Sequence, residues 1–249
     1  MGTRARERGD DHKESTYRPG GGGQVEKGDD VNIVTGVVDW FARPEQWAGP
    51  SGIPARFAEH VHFSVLALLI AGAIAVPIGL VTGHTGRGGF LAITLANIAR
   101  ALPTIGVLTL VVLGMGLGLA PVLAALVALA VPPILVNTYE GVRGTDPQLK
   151  DAAQGMGMRG GDVLFRLELP IALPLILLGL RTAAIQVVST ATIAAYVGIG
   201  GLGRFIVDGQ SRRTIEMIVG GALLVVLLAL AVTALFALLR HMVVARGLR

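Results

Sequence analysis

The chain has 249 residues, 52% of them hydrophobic and only 15% charged, against about 25% charged in a typical soluble domain. A soluble fold of this length has too small an interior for that much apolar surface, so lipid is the solvent for most of the chain. Net charge is +4, but Lys and Arg fall mostly between apolar segments and at the two ends, the pattern of membrane orientation and not of a nucleic-acid face; the absence of cysteine excludes disulfides, thiol catalysis and Cys-based metal sites.

Residues 1–30 are polar, with a Gly20–Gly23 run and almost no large apolar side chains, and read as a disordered tail. Residues 31–59 form a juxtamembrane segment. Val34, Val37, Val38 and Phe41 recur at helical spacing near Trp40 and Trp47, which fits a short interfacial helix as well as an ordinary lead-in loop. The first long apolar run starts only near Val61, too late and too long for a cleavable signal.

Residues 60–241 make the transmembrane domain. A spanning helix needs about 20 apolar residues. Val61–Thr82 carries no charge except a possible one on His62. Ala101–Tyr139 has no charged side chain and is long enough for two passes, with the break expected at Gly114–Pro121. The first of these passes begins near Leu91 and holds Pro103 as a kink, and Pro132–Pro133 should bend the second. Ile171–Val197 is apolar apart from Arg181, and Met217–Leu239 is uncharged. The count is five passes, or six if 90–119 is split at Pro103. Residues 242–249 are a short tail.

Five passes put the 83–89 loop, the 140–170 connector and the C-terminus on one side. That side carries Arg87, Arg143, Lys150, Arg159, Arg166, Arg240, Arg246 and Arg249, so it should be cytoplasmic. The N-terminal tail and the 198–214 loop then lie outside, with Arg204, Arg212 and Arg213 running against the rule.

The 140–170 connector is the most informative stretch. Asp146 before Pro147 is a helix start, Asp as N-cap and Pro at the first helical position. A short helix Pro147–Gln154 should follow, with Gly155 and Gly157 stopping it. Asp162 can cap a second short helix, Val163–Leu169, whose face Val163, Leu164 and Leu167 is apolar; Pro170 and Pro174 mark re-entry into the membrane. Small Ala152 and Ala153 on the first helix allow another backbone to approach, and the apolar face suits a partner's groove. The plainer alternative is an amphipathic loop lying against the membrane surface.

Asp151-Ala152-Ala153, three residues, Gly157, nine residues and Leu167-Glu168-Leu169-Pro170 together resemble the cytoplasmic "EAA" loop of ABC importer permeases, with Asp for Glu and Leu for Ile. The resemblance implies an all-α integral membrane fold of the type I importer permease class, with five (possibly six) transmembrane helices and a cytoplasmic coupling helix pair. It implies a loop that docks in a cleft of a separate ATPase: Asp151 making a polar contact, Gly157 allowing a sharp turn, Leu167 acting as an apolar plug. A further set is similar to osmoprotectant permeases for glycine betaine, carnitine, choline or proline-type solutes, over about residues 45–240. It comprises Asn137-Thr138-Tyr139-Glu140-Gly141-Val142, Asp146-Pro147, Gly155-Met156-Gly157-Met158, Leu169 to Pro174 and Gly198-Ile199-Gly200-Gly201-Leu202-Gly203. Methionine-type permeases carry a similar Gly-rich loop, and another small solute such as an amino acid is the alternative.

Gly198, Gly200, Gly201 and Gly203 do not make a phosphate loop, because no Lys-Ser/Thr follows; no G-x-x-x-x-G-K-[ST] occurs anywhere. The chain therefore should need a separate ATPase that carries the ATP and Mg, with no cofactor and no metal of its own. Polar residues within spans are candidates for a solute path: Asn97, Arg100, Thr104, Asn137, Gln186, Ser189, Thr190 and Thr192. Each has the alternative of bonding between helices or to its own backbone. Arg181 should lie near a helix end or pair within the bundle. Aromatic content is 5%, too sparse for a cage around a quaternary ammonium, so capture should reside in an extracytoplasmic binding protein. The expected partners are that protein, the ATPase, a second permease subunit and membrane lipid, with no nucleic acid. An intramembrane enzyme lacks H-E-x-x-H, G-x-S-x-G and any paired nucleophile here, and a secondary transporter would not need the docking loop.

Overall fold

A computed structural model describes Gly2 and residues 28–101 and 103–243; the expected disordered tail and most of the C-terminal tail lie outside the described residues. Every regular element among the described residues is helical. α1 (Gly28–Ala42) is followed by a single 3₁₀ turn, Pro44–Gln46. α2 (Ile53–Thr85) starts with a proline in its first turn and closes on left-handed Gly86, whose N–H donates to the Thr82 carbonyl at 3.0 Å. α3 (Gly89–Ala101) and α4 (Thr104–Met115) meet at Pro103. α5 (Leu119–Arg143) runs unbroken through Pro132 and Pro133. α6 is Pro147–Gly155. α7 (Gly160–Asp162), a π-helical turn Val163–Glu168, α8 (Leu169–Thr190) and a 3₁₀ stretch Ala191–Val197 form one continuous rod. α9 (Gly203–Arg212) and α10 (Ile215–Val243) complete the chain.

Four helices among the described residues are long and apolar enough to cross a membrane: Ile53–Thr85, Leu119–Arg143, Gly160–Val197 and Ile215–Val243. The fifth pass is broken. At 1.5 Å per residue α3 and α4 are each about 20 Å long, short of the ~30 Å hydrocarbon core. Ala92 and Ala96 of α3 lie by Pro132 and Leu135, whereas Thr104 and Leu108 of α4 lie by Val122 and Leu126. The pair thus travels once along α5 in the opposite direction. Pro103 breaks the pass because its ring removes an N–H and fixes φ at −65° with an extended ψ of 129°. The 90–119 region is one interrupted span, not two.

α5 is the central helix, gripped by α2 on one side and α8 on the other. Without a hydrophobic force between helices in lipid, small residues set how closely backbones approach. Ala67, Ala71, Ala75, Gly79 and Gly83 make one buried stripe of α2. A Cβ at Gly79 would stand 2.6 Å from that of Thr138, and one at Gly179 of α8 only 2.9 Å from both the Asn137 Cβ and the Pro133 carbonyl oxygen. The core Ala67, Ala71, Ala130, Ile134, Ala183 and Val187 fills the middle of this three-helix layer.

α2, α5 and α10 run one way; α3–α4 and α8 run the other. The loop at 86–88, the 144–168 connector and the end of α10 therefore share one end of the bundle. α1, the loop at 116–118 and residues 191–214 share the opposite end. There Trp40 is 3% exposed, edge-on to Phe41 and Phe205, and packs on Gly220, while Val34, Val38 and Trp47 stay exposed.

The expected second short helix of the connector is not a separate element, and Asp162 is not its N-cap. The helix begins at Gly160, and Asp162 sits inside it with φ −65° and ψ −40°, its carboxylate accepting from the Arg159 N–H at 3.4 Å. The rod then enters the bundle without stopping. Pro170 lies in the first turn of α8 and has no N–H for the carbonyl four residues back. The backbone answers by widening: the Leu169 N–H reaches Leu164, five residues back, in a π turn.

Candidate functional site

The connector is built as the local sequence dictates. Asp146 Oδ1 accepts from the Gln148 N–H at 2.8 Å, capping α6. At the other end the Gly157 N–H donates to Gln154 (2.9 Å) and the Met158 N–H to Ala153 (3.1 Å), a Schellman closure with Gly157 at the left-handed position, φ +89°. Gly155 is still helical; Gly157 makes the stop. Asp151 and Ala152 are exposed and Ala153 is buried, so one face of α6 is offered outward and the other is seated on the rod.

The motif's apolar residues divide unexpectedly. Leu169 packs on the Val142, Leu164, Ala172 and Ile176 cluster, Leu167 is half-buried, and Pro170 is exposed. The large apolar side chains most exposed on the connector are Met156 (76%) and Phe165 (62%), neither of which the pattern singled out. Phe165 and Met156 therefore present more apolar surface outward than half-buried Leu167 does.

Glu168 was also missed. It occupies the variable position of Leu-x-Leu-Pro, is 1% exposed, and receives Lys150 Nζ on Oε1 at 2.6 Å and His84 Nδ1 on Oε2 at 2.5 Å. One buried carboxylate thus ties α6 (Lys150), the last turn of α2 (His84) and the π turn that leads into α8. A buried carboxylate is tolerated only when paired: His84 hydrogen-bonds Oε2, and Lys150 pairs with Oε1 by charge, in a geometry that is not a hydrogen bond.

The candidate path residues are scattered. Asn97 is exposed on α3, and the side chain of Arg100 lies outside the described residues. Asn137 Nδ2 donates to the Pro133 carbonyl at 2.7 Å, a bond back onto its own helix one turn earlier. Thr104 and Thr190 meet at a void of about 10 Å³, at the lower limit for one water. Thr192 donates to the Ser189 carbonyl at 2.7 Å. Gln186 and Ser189 lie on the outer side of α8, in line with exposed Leu178 and Thr182. The structure brings Thr104 and Thr190 together and leaves the others apart.

The glycine-rich loop is a joint. His60, fully buried, bonds Val188 carbonyl through Nε2 at 2.9 Å and accepts from the Leu202 N–H through Nδ1 at 3.3 Å. Glu59 accepts from the Gly201 N–H at 2.8 Å and from Arg56 at 2.9 Å. Gly201 has φ +91°, a side chain at Gly200 would meet the Glu59 carboxylate, and one at Gly203 would stand 2.8 Å from the Thr192 Cα and carbonyl carbon. Gly203→Ala should therefore destabilise the chain by about 1–3 kcal/mol through a backbone clash that no rotamer relieves, read as a lower thermal midpoint in detergent. An unchanged midpoint would show that α9 shifts freely against the rod.

Residues 75–248 match the family described as the binding-protein-dependent transport system inner membrane component. Over 194 residues the chain is 34% identical to the glycine betaine/carnitine/choline transport system permease protein OpuCB of Bacillus subtilis, covering 78% of this chain and 89% of that protein. It is 34% identical over 191 residues to the choline transport system permease protein OpuBB of the same organism, covering 77% and 88%. To the carnitine transport permease protein OpuCB of Listeria monocytogenes it is 32% identical over 191 residues, again covering 77% and 88%. Among solved structures, an inward-facing MetNI methionine ABC transporter chain superposes with a TM-score of 0.66 at 21% identity, covering 75% of this chain and 94% of that one. An amino acid ABC transporter chain gives 0.62 at 17% identity, covering 86% and 97%. These structural likenesses establish the fold.

Proposed function

Since the chain belongs to the binding-protein-dependent transport system inner-membrane component family, we propose that it is the permease subunit of an ABC importer for a small osmoprotectant of the glycine betaine, choline or carnitine type. The relatives' substrates support that solute class. The observation that carries the reading is the connector: a capped, Schellman-closed helix that presents Asp151 and Ala152 outward and is rooted by Glu168 in α2 and α8.

In this reading α6 docks on a separate ATPase, which holds the ATP and Mg. Closure of the ATPases displaces α6, and the rigid rod from Gly160 to Val197 together with the His84–Glu168–Lys150 tie carries that displacement to α8 and α2. A second permease, identical or similar, faces the first across the path, and an external binding protein captures the solute and delivers it. The basic residues near the docking end support a cytoplasmic position for it. The polar groups of the spans need hold the solute only weakly.

The test is reconstitution of the chain with a candidate ATPase and a candidate binding protein, in vesicles loaded with ATP. Accumulation of labelled glycine betaine, choline or carnitine should require all three components. Uptake that persists without the ATPase would sink the reading.

A further inference from the structure

Arg181 is the only ionised side chain on α8 within Ile171–Val197, roughly three turns past Leu169. In the bilayer centre that charge would be costly. α8 and α10 run antiparallel, and Arg181 opens onto the same cleft as Arg240, which directly follows the uncharged run Met217–Leu239 of α10. Arg240 therefore stands at the edge of the hydrocarbon zone, at the end of the bundle that carries the docking helix, and the Arg181 guanidinium opens into the same cleft from further along α8.

The cleft has a volume of about 400 Å³, and its walls are Leu175, Leu177, Leu178 and Phe236, apart from a proline and an alanine. No carboxylate lines it, and neither arginine has an ion pair or hydrogen bond among the described residues. The C-terminal dipole of α10 offsets part of the charge of Arg240; Arg181, in mid-helix, has no such partner. A water-filled passage would not be walled by leucines. A cleft with two unpaired cations at its rim and an apolar floor matches an amphiphile with an anionic head.

We propose that this cleft binds the phosphate headgroup of an anionic phospholipid, with Arg181 and Arg240 on the phosphate and the Leu178 and Phe236 walls against the acyl chain. Planar guanidinium forks suit a phosphate bidentately, and basic pockets between spans at the cytoplasmic side are fitted to such heads. The site needs only that the chain spans a bilayer, so it stands or falls independently of the transported solute.

The test is native mass spectrometry of the full-length chain released from mixed vesicles of phosphatidylglycerol and phosphatidylcholine in equal amounts. Retained lipid should be predominantly phosphatidylglycerol. Arg240→Gln, on the exposed rim and harmless to folding, should lower that preference about fivefold, and Arg181→Gln with Arg240→Gln about twentyfold, whereas the double lysine variant should keep most of it. Millimolar inorganic phosphate should not displace the lipid. Equal retention of both lipids, or undiminished phosphatidylglycerol on the double glutamine variant, overturns the proposal. Displacement by free phosphate assigns the rim to a soluble anion instead, and loss of the preference when a second permease joins assigns it to a partner's carboxylate; either result also overturns the lipid assignment.

Discussion

Gly157→Val is expected to abolish ATP-driven uptake while leaving the chain folded in the membrane. Gly157 has φ +89°, a conformation that costs a β-branched residue about 1–2 kcal/mol. A Cβ built there finds no atom within 4 Å, so the substitution touches none of the three apolar clusters. The local strain is relieved most cheaply by opening the Schellman closure, which releases the Gly157–Gln154 and Met158–Ala153 bonds and unwinds the last turn of α6. Asp151, Ala152 and Met156 then leave their common presentation. The cost is small beside the roughly 5–15 kcal/mol of a folded domain, so the thermal midpoint should barely move. Gly157→Asn separates conformation from bulk: asparagine tolerates the left-handed region and should retain a substantial part of the uptake. Uptake by the valine variant equal to that of the unsubstituted chain would remove the docking role from this turn.

Much of this was readable because its causes are local. The uncharged runs Val61–Thr82 and Met217–Leu239 lie inside α2 and α10, since lipid leaves a helix no other composition. α6 was legible from Asp146, Pro147 and Gly157, three residues whose backbone preferences act on their immediate neighbours. Pro103 announced a break, but whether the chain turns back there depends on where α3 and α4 lie along α5, which no single proline encodes. The π turn escaped because it is a compromise between Pro170 and the demand that the rod stay seated on α5. Asp162 looked like a cap on chemistry alone and is overruled by a helix that has already begun at Gly160. Glu168, Glu59 and His60 are not marked by the sequence because the contacts that tie them across the fold, to His84, Gly201, Val188 and Leu202, span 84 to 142 residues. A buried polar side chain is recognised by what satisfies it, and satisfaction at that range is a property of the fold.

Glu168→Ala should be the most damaging single change in the connector. It leaves Lys150 and His84 facing a hole with no counter-charge. Removing one member of a buried pair costs about 3–5 kcal/mol; the lower end applies here, because Lys150 and His84 are 20% and 26% exposed and can recruit water. For a chain of this size that is a fall of about 6–12 °C in thermal midpoint. His84→Ala should cost much less, because the Lys150 contact survives. Stability and coupling separate in the double variant Lys150→Met, Glu168→Met, which refills the space with apolar atoms of similar reach. Such replacements of buried ion pairs are often neutral or stabilising, so its midpoint should return close to that of the unsubstituted chain. Its uptake per ATP hydrolysed should nevertheless stay low, because a flexible thioether contact slides where a close ion pair fixes α6 against the π turn. If the double methionine variant instead transports at the normal ratio of solute to ATP, Glu168 holds the connector together but transmits nothing, and the motion must pass through the rod alone.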